Sequence, residues 1–182
     1  MTEILRLFID RLATPIGQMV LIADEAGRLR SIDWTDHEPR LLRLLRLHYG
    51  EVISRVEPRK DPGGLTSAMM AYFGGDLRAI DTLPVETAGT PFQRKVWLAL
   101  REILCGTTIS YSELARRIGH PTAVRAVGLA NGANPVGVVV PCHRVVGSTG
   151  ALTGYGGGIE RKRWLLAHEA AMQPAEQMSL SL

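Results

Sequence analysis

The apolar positions of this chain fall into two regimes. In Ile4–Ala13 and Gln18–Asp24, Leu, Ile, Val and Phe recur at strand density, and Thr14-Pro15-Ile16-Gly17 punctuates between them. Arg28–Trp34 reads as a further strand after the tight Glu25-Ala26-Gly27 link, which predicts a meander. The period then changes. Across Glu38–Tyr49, Leu41, Leu42, Leu44, Leu45 and Leu47 alternate with Arg40, Arg43 and Arg46, as in an amphipathic helix. Pro62-Gly63-Gly64 breaks the chain, and Leu65–Phe73 predicts a second helix stopped by Gly74-Gly75. This half carries no acid cluster, phosphate loop or metal-ligand spacing, so it reads as a scaffold.

Residues 83–90 read as a link. Thr90-Pro91-Phe92-Gln93 is then a helix start: Thr90 caps, Pro91 suits the first helical position, and Gln93 completes a capping box. Phe92, Val96, Trp97, Leu100 and Ile103 follow at helical spacing, and the helix stops near Cys105-Gly106. Ser110 and Glu113 make a second capping box before a short helix that ends at Gly119. His120-Pro121 turns the chain, and Thr122 is placed to cap a helix running from Ala123 to Gly132. Two short helices around a tight turn are a helix-turn-helix signature. The second helix has one charged residue, Arg125, whereas a major-groove reader needs several long polar side chains. Its small residues suit either plain helix packing or close approach to a narrow groove. Beyond Asn134-Pro135, the run Val136–Val140 delivers Pro141-Cys142-His143-Arg144 and a glycine-rich stretch, before a last helix over Ile159–Ala171.

Composition narrows the class. The 182 residues are 46% hydrophobic and 21% charged, which suits a globular chain with a real core and argues against disorder. No apolar run approaches a membrane span, and the N-terminus, with Glu3 and Asp10 inside its apolar stretch, is unlike a secretory signal, so the expected location is cytoplasmic. Two cysteines are too few for a disulfide framework or a four-cysteine zinc site. The net charge of +3 hides an asymmetry: residues 1–89 carry 11 Lys and Arg against 13 Asp and Glu, residues 90–169 carry 10 against 4. The second half is where an anionic partner would be drawn.

Cys142 is the candidate nucleophile. An ordinary thiol, with a pKa of about 8.5, is only a few per cent ionised at neutral pH, so it needs a neighbouring cation or base. His143 and Arg144 adjoin it. Adjacent side chains do not face each other, so His143 would act through a bridging water, with Glu169 a candidate to orient its ring. On pattern alone, a buried cysteine beside a satisfied histidine fits equally well. Cys105, at a helix end with no base beside it, reads as structural.

Pro141-Cys142-His143-Arg144-Val145 resembles the active-site signature of the O6-alkylguanine-DNA alkyltransferases, also called methylated-DNA–protein-cysteine methyltransferases, and the chain is similar to the bacterial stand-alone type. The resemblance runs from about Thr90 to Glu169, through Ile109-Ser110-Tyr111, Arg125-Ala126-Val127-Gly128, Asn134-Pro135, Gly154-Tyr155 and Trp164-Leu165-Leu166-Ala167-His168-Glu169. It implies direct-reversal repair: an alkylated guanine is flipped from the duplex and its alkyl group moves irreversibly to Cys142, once per molecule. It implies that His143 acts as base through a water and that Glu169 orients it. Tyr111 would press on the phosphate 3′ to the flipped nucleotide and donate to the base. Arg125 would fill the vacated stack, with Ala126, Ala130 and Asn131 also facing DNA. Asn134 would be a hinge, the main chains of Val145 and Gly156 would meet base edges, and Tyr155 would line the pocket.

The implied fold is α+β: a small N-terminal α/β domain over 1–85, a mostly helical domain over 86–172 with a helix-turn-helix of winged-helix type, and a flexible tail over 173–182. The expected partner is double-stranded DNA with alkylated bases, met by a monomer without cofactor or metal, since the cysteines for the zinc sites of some relatives are missing. Small Gly137 and Gly156 suggest a roomy pocket extending to larger alkyl groups or O4-alkylthymine. The competing readings are a non-catalytic helix-turn-helix regulator or lesion-binding protein, which would tolerate loss of Cys142, and a cysteine hydrolase, which would need turnover and an oxyanion hole.

Overall fold

The computed structural model describes residues 4–50 and 53–171; the tail expected over 173–182 lies outside them. Three strands, β1 (Leu5–Thr14), β2 (Gly17–Asp24) and β3 (Leu29–Trp34), form the expected antiparallel meander. The β1–β2 hairpin closes with Thr14 opposite Gly17, which takes φ +120° at the turn. Helix α1 (Glu38–Tyr49) covers one face of the sheet, and the chain returns as β4 (Ile53–Pro58), parallel to β1, giving the order β3-β2-β1-β4. The sequence pattern did not predict β4. Its Arg55, Glu57 and Pro58 break any apolar alternation, and an outer strand that ends in proline is held by pairing rather than by its own pattern.

The sheet is buried on both faces, which is why β2 reads as a near-continuous apolar run. Val20 and Ile22 point toward Leu41 and Leu45 of α1, while Met19, Leu21 and Ala23 point into the main core. Of the five leucines of α1, Leu41, Leu44 and Leu45 are buried, and Leu42 and Leu47 face outward. Helix α2 (Leu65–Phe73) has the predicted limits and buries Leu65, Met69 and Tyr72.

The second half follows with α3 (Pro91–Leu100), β5 (Ile109–Ser110), α4 (Tyr111–Arg117), α5 (Val124–Gly132), β6 (Val145–Val146) and α6 (Ile159–Ala171). The Thr90–Gln93 capping box is complete, with Gln93 N donating to Thr90 Oγ1 at 3.1 Å and Thr90 N to Gln93 Oε1 at 3.0 Å. The second box is only half made. Ser110 Oγ accepts from Glu113 N, but the Glu113 carboxylate turns away to Arg116 and Arg117, two guanidinium groups outbidding one backbone N–H. Thr122 does not cap α5; Ala123 holds that position with no side-chain bond, and its N–H goes to His120 O. The valine run 136–140 is buried as expected but is a turn, with Val138 at φ +70°.

One core serves both halves: Leu21, Trp34 and Tyr72 belong to the same cluster as Trp97, Val127 and Leu165. The outer edge of β3 is joined by Val85 and Val136, each in a parallel bridge, and Ile32 N donates to Pro135 O at 2.9 Å. The architecture is thus α+β, a sheet with helices followed by packed helices. Among the described residues, no helix is long and apolar enough to cross a membrane.

Candidate active site

The valine turn ends at Pro141, and Cys142–Arg144 form a single 3-10 turn that buries all three side chains. Cys142 lies on the wall of a recess with about 50 Å³ of free space, enough for a few waters. Tyr111, Asn134, Tyr155 and Gly156 line it from the second half, and Asp33, Trp34 and Arg40 from the first. The first half is therefore more than a scaffold, which the sequence reading missed. Arg40 Nη1 bonds Asp33 Oδ2 at 2.7 Å, and Nη2 donates to the carbonyls of Gly132 and Asn134 at the end of α5. Of the two glycines expected to open the pocket, Gly156 faces Arg40. A Cβ at Gly156 would lie 2.7 Å from the Arg40 guanidinium, so that glycine makes room for arginine rather than for ligand.

His143 and Glu169 meet as expected. His143 Nε2 lies 2.8 Å from Glu169 Oε1, both side chains fully buried. A carboxylate only accepts, so Nε2 carries the proton and Nδ1 is left as the lone-pair nitrogen. Nδ1 is buried and has no protein partner among the described residues. Glu169 is not an exposed carboxylate at a helix end. Arg144 donates to it through Nε at 3.0 Å and Nη2 at 2.9 Å, and Tyr72 Oη donates to Oε1 at 2.9 Å. Arg144, which the sequence reading set beside the cysteine as a cation, serves the carboxylate instead.

The electrostatics follow from burial. Burial opposes ionisation of Glu169, but His143 and Arg144 overcome it and hold the carboxyl well below the usual range. For His143, burial wins over the Glu169 carboxylate, so its pKa falls and the ring rests neutral. Burial likewise raises the Cys142 pKa, although Asn134, Arg40 and Lys162 pull the other way. The resting sulfur is a thiol beside a neutral imidazole, an arrangement that needs a proton to move before the sulfur can attack.

The remaining site residues divide. Asn134 is buried and ties the end of α5 to the valine turn: its Nδ2 donates to Val140 O at 2.8 Å, and its Oδ1 accepts from Val136 N at 2.9 Å. Tyr111, at the first position of α4, donates to Thr153 O of the glycine-rich loop. Val145 is not on the recess wall; it is fully buried, and its carbonyl accepts Lys162 Nζ at 2.6 Å. Lys162, another residue missed in sequence, also bonds Thr153 O and so pins the loop. Arg125 and Ala126 are exposed on α5. Ala130 and Asn131, expected to face DNA with them, are buried: Ala130 packs in the core and its carbonyl accepts Trp97 Nε1, while Asn131 borders the recess. Leu129, one turn on from Arg125, is 72% exposed in their place. Both cysteines are thiols, and burial raises Cys105 to about 11. No group of three or more His, Cys, Asp or Glu side chains among the described residues could hold a metal ion.

The chain is similar to known proteins along most of its length. Residues 91–171 match the family model described as the 6-O-methylguanine DNA methyltransferase, DNA binding domain. A methylated-DNA–protein-cysteine methyltransferase of Salmonella typhimurium is 52% identical over 166 residues, covering 91% of this chain and 96% of that protein. One from Shigella flexneri is 50% identical over 165 residues with the same coverage. The crystal structure of Mycobacterium tuberculosis OGT in complex with DNA superposes with a TM-score of 0.75 at 38% identity, covering 97% of this chain and 99% of that one. With a thiol on the recess wall, a buried His143–Glu169 pair that begins at the next residue, and relatives at this identity along nearly the whole chain, the protein belongs to the methylated-DNA–protein-cysteine methyltransferase family.

Proposed function

We infer that this protein repairs DNA by direct reversal, with Cys142 as the acceptor of the alkyl group from O6-alkylguanine. The observation that carries the assignment is the His143 ring: buried, neutral, its Nε2–H held by Glu169, and its Nδ1 lone pair one residue from the only thiol in the recess. Cys142 loses its proton through a bridging water to Nδ1, and the sulfur attacks the alkyl carbon. The C–S bond forms as the C–O6 bond breaks, the bonding pair stays on the guanine oxygen, and Tyr111 donates a proton to the base; the proton taken by His143 is released to solvent and one from solvent restores Tyr111. Water is too weak a nucleophile to take the alkyl group from an uncharged thioether, so each molecule acts once.

The partner is duplex DNA, met by a monomer through a winged helix-turn-helix in which α4 and α5 are the two helices. Arg94, Lys95, Arg116, Arg117 and Arg125 are exposed cations of the second half and supply sequence-independent attraction to phosphates. Arg125 fills the stack left by the flipped base, an exchange that offsets a few kcal/mol of unstacking. The direct test mixes the protein with a duplex bearing one O6-methylguanine. The peptide containing Cys142 gains one methyl group and the DNA loses it; a methyl group on another residue overturns the assignment.

A further inference from the structure

The carboxylate that holds His143 is shared with the other half of the chain. Tyr72, on α2, has the largest fully buried side chain of the described residues, and its hydroxyl donates to the same Glu169 Oε1 that His143 Nε2 approaches. Its main-chain carbonyl accepts His168 Nε2 at 2.8 Å, so two successive residues of α6 are fixed by one residue of α2. The tyrosine ring meets His168 edge-on at 5.3 Å, and Phe73 and Trp164 stack around the same histidine. A tyrosine whose only task was to fill space would not need a hydroxyl at this depth, where burying one is costly unless it is bonded.

We propose that Tyr72 is a positioning residue of the transfer reaction, a third donor on Glu169 that sets how strongly the carboxylate holds the His143 N–H. The inference rests on the acid–base reading of His143 and Glu169 above. Oε1 divides its lone pairs among Tyr72, His143 and Arg144, and Oε2 accepts from Arg144. Each donor that stabilises the carboxylate weakens its pull on the imidazole proton. Removing the Tyr72 hydroxyl therefore makes Glu169 a stronger partner for the imidazolium form. His143 then becomes protonated at higher pH, and the base is lost earlier on acidification. Other groups facing the pair among the described residues include Arg144 beside both, Cys105 near Glu169 from the segment after α3, and Lys162 near His143 from α6; none of them changes in the test.

The experiment measures single-turnover transfer from an O6-methylguanine duplex between pH 5 and 9 for the wild type, Tyr72→Phe and Tyr72→Leu, with thermal melting of each. The expected result is an acid limb in the wild type whose midpoint moves up by roughly half to one unit in Tyr72→Phe, the scale of one hydrogen bond to a charged group. Tyr72→Leu shifts the limb in the same direction and also melts earlier. If Tyr72→Phe leaves the limb unmoved while Tyr72→Leu slows the reaction, the residue only packs and the proposal falls. If the wild type has no acid limb, the acid–base reading itself is wrong, whatever Tyr72 does.

Discussion

Glu169 concentrates the chemistry at the residue scale. It is fully buried, accepts from Tyr72, His143 and Arg144, and stays ionised because His143 and Arg144 outweigh its desolvation. Glu169→Gln keeps the shape but removes the charge that Arg144 faces. Breaking one partner of a buried pair costs about 3–5 kcal/mol, so this variant loses stability as well as rate. Transfer should slow by roughly ten- to a hundredfold, the range for partners of a general base, and melting should fall by several degrees; wild-type values of both would remove Glu169 from the site. Cys142→Ala separates binding from chemistry. It abolishes transfer but keeps most of the affinity for duplex DNA, because phosphate contacts made elsewhere supply that affinity. Residual transfer that labels Cys105 would refute the assignment.

At the scale of elements, α5 is the piece whose composition was most informative and least specific. Its small residues and single cation, Arg125, were legible in sequence, as were the limits of α1, α2 and α6. Which small residues face outward was not. A helix of Ala, Gly, Val and Leu has no polar stripe to mark its exposed side, and only the packing of Val127 and Ala130 into the core fixes it. The exposed face is Arg125, Ala126, Leu129 and Gly132. Arg125→Ala should therefore cut repair in duplex DNA by tenfold or more while leaving reaction with free O6-benzylguanine near wild type, since a finger matters only where a stack must be filled. Equal losses on the two substrates, measured side by side, would move Arg125 into folding or chemistry. The Arg40–Asp33 wall was illegible for another reason. An arginine on a helix that alternates Leu and Arg looks solvated, and its bonds to Gly132 O and Asn134 O join positions some ninety residues apart.

For the whole molecule, the same burial that prepares the site makes the fold sensitive to acid. Burial lowers the pKa of His143, fully enclosed in the second half, and of His48 at the end of α1, so both rest neutral in the folded chain. In the unfolded chain each titrates near the ordinary value of about 6.5. Between that value and its lower folded pKa, the unfolded state binds the extra proton, so stability falls as pH falls. The contribution is fully present above pH 6.5 and is lost on acidification. Glu169 adds to the trend with the same sign but only in stronger acid, because its folded pKa is depressed and its unfolded value is that of a free carboxylate. Each unit by which a histidine is lowered costs about 1.4 kcal/mol once the folded ring is protonated, or about 2–4 °C of melting temperature in a chain of this size. The melting temperature should thus hold steady from pH 8 to about 6.5 and drop by several degrees toward pH 5, before the carboxylates titrate. His48→Gln removes one of the two histidines far from the chemistry and should make that drop shallower, with the transfer rate at pH 8 unchanged. A melting temperature that stays flat from pH 8 to 5 would mean that neither ring is held neutral by the fold, and the resting state assigned to His143 would have to be abandoned.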